Sequence, residues 1–191
     1  MKRIGLTGNI GSGKSTIASC FKILGISVFN SDDKAKFIMN NNSALKQKMI
    51  NHFGENVFNE FGLNRKYLSR LAFNNVKVLK KLNDLVHPLV QDAFEIWCNQ
   101  QSSKYVIKEA AILFESNNNK SLDACICVSC PEQIRIQRIL KRNDLTEKEI
   151  IQRMRSQWPE KKKIALSDYV ILNDDSCLVI PQILKIHNAL K

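Results

Sequence analysis

Gly8, Gly13, Lys14 and Ser15 lie in the stretch GNIGSGKST at the spacing G-x-x-x-x-G-K-S/T, with Gly11 and Ser12 inside it and Thr16 following. These residue types in this order suit a polyphosphate. Glycines let consecutive backbone N–H groups converge on phosphate oxygens, and a helix starting at the last glycine adds the positive end of its dipole. Lys14 is placed to reach the β- and γ-phosphates of a nucleotide, and the Ser15 hydroxyl to ligate Mg²⁺.

Phosphoryl transfer also needs a group to orient the attacking hydroxyl and cations to hold the transferring charge. Asp32 follows the second apolar run, where ligands bind at the carboxyl ends of strands in open sheets. It is a candidate proton acceptor, with a water-mediated contact to Mg²⁺ as a second candidate role. A cap for a helix beginning at Asp33 is the structural alternative. Glu109, ending a third apolar run, is a secondary candidate for the metal. Arg138 and Arg142 are four apart and share a helix face, with Arg135 one turn earlier. The guanidinium fork binds phosphate in a defined geometry, so Arg138 is a candidate support for the transferring group; a solvated basic face is the alternative. Cys125, Cys127 and Cys130 form C-x-C-x-x-C, but no nearby fourth ligand completes a zinc site, and buried small hydrophobes account for them better.

The elements that must position these residues are legible in the apolar pattern. KRIGL at 2–6 gives a strand into the glycine loop, and Ile17, Cys20, Phe21 and Leu24 recur at helical spacing up to a capping Gly25. ISVFN at 26–30, KYVIKE at 104–109, ACICVS at 124–129 and DYVIL at 168–172 supply further strands. Residues 33–101 show helical spacing and no convincing strand. The asparagine runs at 40–42 and 117–119 read as loops. Pro131 opens an arginine-rich helix, Asn143 and Asp144 break it, and Thr146 with Glu149 marks the start of the next. Strand and helix in alternation predict an α/β three-layer sandwich with about five mostly parallel strands. The expected division is a nucleotide-binding core at 1–32, 102–130 and 164–191, a helical acceptor-binding block at 33–101 and a helical lid at 131–163.

The chain has 191 residues, 44% of them hydrophobic, and a net charge of +11 that would draw polyanions. The start of the sequence is too polar too soon for a signal peptide, and no run reaches membrane-spanning length. Six scattered cysteines fit a reducing cytoplasm better than a disulfide framework. The N-K-x-D signal of a GTP switch is missing, because Asn119 to Asp123 carries one residue too many. Aromatic residues make up only 7%, with no basic segment interleaving them, so a nucleic-acid motor is disfavoured and no nucleic-acid partner is expected.

LTGNIGSGKST, VFNSDDKAK, LNDLVHPLV, AAILFES, QRILKRNDLTEKEIIQRMRSQ and SDYVILN follow one another at intervals that resemble the dephospho-CoA kinase family, a P-loop family. Asn30 stands for the first Asp of that family's V-x-D-A-D, Ala111 for the proline of PLLFE, and Leu172 for the Asp before Asn173. The resemblance implies ATP-dependent phosphorylation of the ribose 3′-hydroxyl of dephospho-CoA, with Mg²⁺ as cofactor. It also implies that Arg142 covers ATP from the lid and that Asp32, Arg65, His87 and Glu115 meet the acceptor. Gln157 and Asn173 fall on family positions without an evident role beyond polar contacts. Another small-metabolite or nucleoside monophosphate kinase is the near alternative, and a nucleic-acid ATPase the distant one.

Overall fold

The computed structural model describes residues 1–142 and 146–191, and the side chains of all of these except 73, 74, 142, 147 and 148. The break expected at Asn143 and Asp144 therefore lies outside the described residues. The strands are β1 (Lys2–Thr7), β2 (Val28–Asn30), β3 (Phe58–Asn59), β4 (Gly62–Leu63), β5 (Tyr105–Glu109), β6 (Ala124–Ser129) and β7 (Tyr169–Leu172). The helices are α1 (Lys14–Ile23), α2 (Ser31–Asn41), α3 (Ser43–Phe53), α4 (Arg65–Asn74), α5 (Val76–Cys98), α6 (Glu132–Arg142), α7 (Glu147–Arg155), α8 (Glu160–Ala165) and α9 (Val179–Leu190). Two compact units result: residues 1–30 with 100–191, and residues 31–99.

The first unit is built on a five-stranded sheet of order β2-β5-β1-β6-β7 in which every pairing is parallel. Parallel strands connected by helices are covered on both faces, so their side chains are apolar on both sides rather than alternating with polar ones. β1 is central, pairing Ile4 with Ile107 on one side and Ala124 on the other. Ile4, Leu6, Ile107, Ile126 and Val128 bury one face of the sheet with Ile17 and Phe21 of α1 and Ile183 and Ile186 of α9. Each such fully buried side chain contributes about 1.5–3 kcal/mol. A smaller cluster gathers Ala110, Leu113, Phe114 and Cys125 with Leu122 and Trp158. α1 stops where the sequence predicts, at Gly25, whose positive φ of 80° suits glycine and whose N–H bonds the Lys22 carbonyl at 3.0 Å.

Cys125, Cys127 and Cys130 are buried free thiols. Burial pushes the pKa of Cys125 and of Cys127 up to about 11, so both stay protonated and apolar. Among the described residues no group of metal-ligating side chains could hold an ion on its own. No described helix is long and apolar enough to cross a membrane.

In the second unit, three helices start on asparagine caps. Asn42 accepts from the Leu45 N–H, Asn64 from that of Tyr67, and Asn75 from those of Lys77 and Val78. The run at 40–42 is thus not a loop: Asn40 and Asn41 close α2 and Asn42 caps α3. The run at 117–119 likewise turns into a 3₁₀ helix at 118–121. The reading of 33–101 as strand-free is also corrected, by a small antiparallel hairpin pairing Phe58 with Leu63 and Asn59 with Gly62. Two-residue strands are too short to show a period, and their turn rests on Gly62 at φ 104°. α5 runs unbroken through Pro88, which supplies no N–H to the preceding turn. Its buried stripe of Val86, Val90, Phe94 and Cys98 recurs every four residues and packs the helix regardless.

Candidate functional site

β1 delivers the chain into the glycine loop at the centre of the sheet, between β5 and β6. Gly8 stands at φ 152°, and a Cβ there would lie 2.5 Å from the Val128 carbonyl oxygen. Gly13 caps α1 at φ 90°, with the Asn173 side chain where its Cβ would be. Glycine is thus required at both positions by space as well as by conformation. Ser12 is buried, Gly11 is half-buried against the Arg135 backbone, and Thr16 is exposed. The Lys14 ammonium donates to the carbonyls of Gly8 at 2.9 Å and Asn9 at 3.3 Å, so it curls back over the loop.

The Ser15 hydroxyl donates to Glu109 Oε1 at 3.1 Å, and Asn30 Nδ2 donates to Glu109 Oε2 at 3.5 Å. A hydroxyl and one carboxylate are hard oxygen donors. Mg²⁺ takes few protein ligands and keeps waters and substrate phosphates for the rest, so this pair fits that ion.

Long-range side-chain contacts brace the loop. Gln157 Oε1 accepts the Ile10 N–H at 2.8 Å, Asn9 Nδ2 donates to the Trp158 carbonyl at 3.2 Å, and Asn173 Nδ2 donates to the Ser12 carbonyl at 2.8 Å. The 157–160 segment is itself anchored. Glu115 Oε1 accepts the Trp158 N–H at 2.9 Å and pairs at 2.8 Å with Lys163, whose ammonium also donates to the Ala111 carbonyl. Glu160 accepts from the Ser129 hydroxyl and the Cys130 N–H at the end of β6.

On α6, Arg135 is buried at 4% exposure, and its Nε donates to the Cys130 carbonyl at 2.9 Å. A solvated basic face is thus excluded for Arg135, which ties α6 to the end of β6. Arg138 donates from Nη1 to Cys130 Sγ at 3.4 Å and pairs through Nη2 with Asp175. Its Nη1 lies 3.8 Å from where a Gly13 Cβ would sit. The side chain of Arg142 lies outside the described residues.

The model of the dephospho-CoA kinase family matches residues 2–178. The chain is 36% identical over 182 residues to the dephospho-CoA kinase of Coxiella burnetii, covering 94% of this chain and 92% of that one. It is 34% identical to the dephospho-CoA kinase of Porphyromonas gingivalis, covering 97% and 93%. The chain belongs to the dephospho-CoA kinase family. A crystal structure of a Thermus thermophilus protein superposes with a TM-score of 0.85 at 29% identity, over 99% of this chain and 95% of that one. Dephospho-CoA kinase from Campylobacter jejuni gives 0.68 at 24% identity, over 98% and 96%, a likeness of fold. The three-layer P-loop architecture expected from the strand–helix alternation is the one observed.

Of the candidates for the family's acceptor side, Glu115 belongs to the first unit, where its carboxylate holds Trp158 and Lys163. The other three lie in the second unit. Asp32 is exposed in the first turn of α2, two residues after Asn30 in the chain; the helix starts at Ser31, ahead of it, so Asp32 is not its cap. Arg65 is exposed as the first residue of α4, directly after the cap Asn64. His87 is half-buried in α5. Sequence reasoning missed the bracing by Gln157 and Asn173, although both positions stood out by resemblance. It also missed Lys163, which in the run EKKK reads as one more solvated cation.

Proposed function

We propose that the enzyme transfers the γ-phosphoryl group of ATP to the ribose 3′-hydroxyl of dephospho-CoA, giving CoA and ADP. The observation that carries this reading is the braced glycine loop, with Ser15 against Glu109 at its end, in a chain of the dephospho-CoA kinase family. The loop N–H groups and Lys14 cradle the β- and γ-phosphates. Ser15 and Glu109 would hold Mg²⁺, which would supply positive charge against the negative charge of the nucleotide phosphates. Asp32 accepts the proton of the 3′-hydroxyl as its oxygen bonds to the γ-phosphorus, and the bond from that phosphorus to the ADP oxygen breaks. Arg138 supports the three equatorial oxygens in passage, and Arg142 covers ATP. Arg65 and His87 contact the acceptor. Six free cysteines support a reducing cytoplasm as the setting.

A coupled assay of ADP release tests this, with dephospho-CoA, nucleoside monophosphates and DNA offered in parallel. Turnover with dephospho-CoA, and phosphate located on the 3′-oxygen of the product by NMR, is the expected result. Turnover only with a nucleoside monophosphate, or stimulation only by DNA, overturns it.

A further inference from the structure

We propose that Asp175 is a positioning residue for the transfer: it holds the Arg138 guanidinium beside the Gly13 turn, where the nucleotide phosphates bind. The inference rests on the reading of Arg138 as the support of the transferring group. Arg138 crosses from α6 toward the loop and is gripped at both terminal nitrogens, Nη2 by Asp175 Oδ1 and Nη1 by Cys130 Sγ. A guanidinium carries five N–H donors, so hydrogens remain for phosphate oxygens.

Asp175 can grip because the turn carrying it is built independently. It stands at φ 67°, a conformation that aspartate tolerates better than most residues. The preceding Asp174 fixes that turn, its Oδ1 accepting from the Ser176 N–H at 3.0 Å, the Ser176 hydroxyl at 2.8 Å and the Cys177 N–H at 3.1 Å. The Ser176 hydroxyl leads the causes that lower the Asp174 pKa, in keeping with a carboxylate that accepts throughout. Asn173 ties the start of the turn to the end of β6, through its N–H to the Ser129 carbonyl at 2.9 Å, and to the loop through the Ser12 carbonyl. One five-residue turn therefore holds the loop by its first residue and the arginine by its third.

Asp175 is 69% exposed and Arg138 only 19%, so the pair is too screened on the aspartate side to matter much for stability. What it does is restrict a long side chain, and a catalytic cation loses effect when it wanders from its working geometry.

The test is steady-state kinetics on Asp175→Asn, Arg138→Ala and the double variant, with thermal unfolding alongside. Asparagine keeps the shape and the backbone conformation but removes the charge. Asp175→Asn should lower kcat about tenfold with KM for ATP and the melting temperature nearly unchanged. Arg138→Ala should lower kcat further, and adding Asp175→Asn to it should change nothing. Wild-type or higher kcat in Asp175→Asn while Arg138→Ala is impaired overturns the positioning role and leaves Arg138 its own. Losses that multiply in the double variant also overturn it. Wild-type kcat in Arg138→Ala overturns the reading of Arg138, and the proposal with it.

Discussion

Ser12 and Gly13 in the first unit are fixed by backbone geometry and by side chains arriving from distant parts of the chain, whereas Asp32 and Arg65 in the second unit stand exposed in the first turns of α2 and α4. The two regions divide the work differently. The glycine loop has little freedom left in the backbone, and the groups it offers a phosphate are mostly main-chain N–H. Asp32 and Arg65 are ionic side chains in the first turns of their helices, where the geometry tolerates replacement. Substitutions on the acceptor side should therefore change chemistry without changing the fold, and substitutions among the braces should do the reverse.

The strongest test of that contrast is Asp32→Asn. It should lower kcat about 10²–10⁴-fold with the melting temperature unmoved, as expected for loss of a general base. Near-normal turnover would remove Asp32 from the chemistry. Lys163→Met sharpens the other side: it strands the Glu115 carboxylate, and urea unfolding should show a loss of about 3–5 kcal/mol. Arg65→Ala should raise KM for dephospho-CoA about tenfold while KM for ATP stays constant, the scale of one charge-assisted hydrogen bond. An equal rise in both constants would break the assignment of Arg65 to the acceptor. The smallest effect is expected from Gln157→Ala, about 1 kcal/mol in stability for the Ile10 N–H left without its partner. A modest rise in KM for ATP should accompany it, read in the same kinetic series.

How much of this was legible in the sequence follows the range of the interactions. The glycine loop, the strand at 124–129, the Gly25 cap and the Thr146–Glu149 capping box are local, and each carries its own residue signature. The capping box is present on both sides, with the Thr146 N–H donating to Glu149 Oε2 at 2.9 Å and the Glu149 N–H to Thr146 Oγ1 at 3.4 Å. The braces have no such signature. Gln157 meets Ile10 across 147 positions, Asn173 meets Ser12 across 161, and nothing in either neighbourhood names the partner. Arg135 and Arg138 look alike in sequence, three residues apart on one helix. Only the packing of α6 against the end of β6 buries the first and leaves the second reaching the loop.

The braces also set an order in time. As the chain is synthesised, the glycine loop leaves the ribosome well before both neighbours of β1 and the residues that fix Ile10 and Ser12. The motif that reads most plainly in the sequence thus waits for segments far along the chain before it takes its braced shape. A nascent chain stalled before Gln157 has the glycines and the lysine but no rigid cradle, so nucleotide can assist folding only once Gln157 and Asn173 have been added.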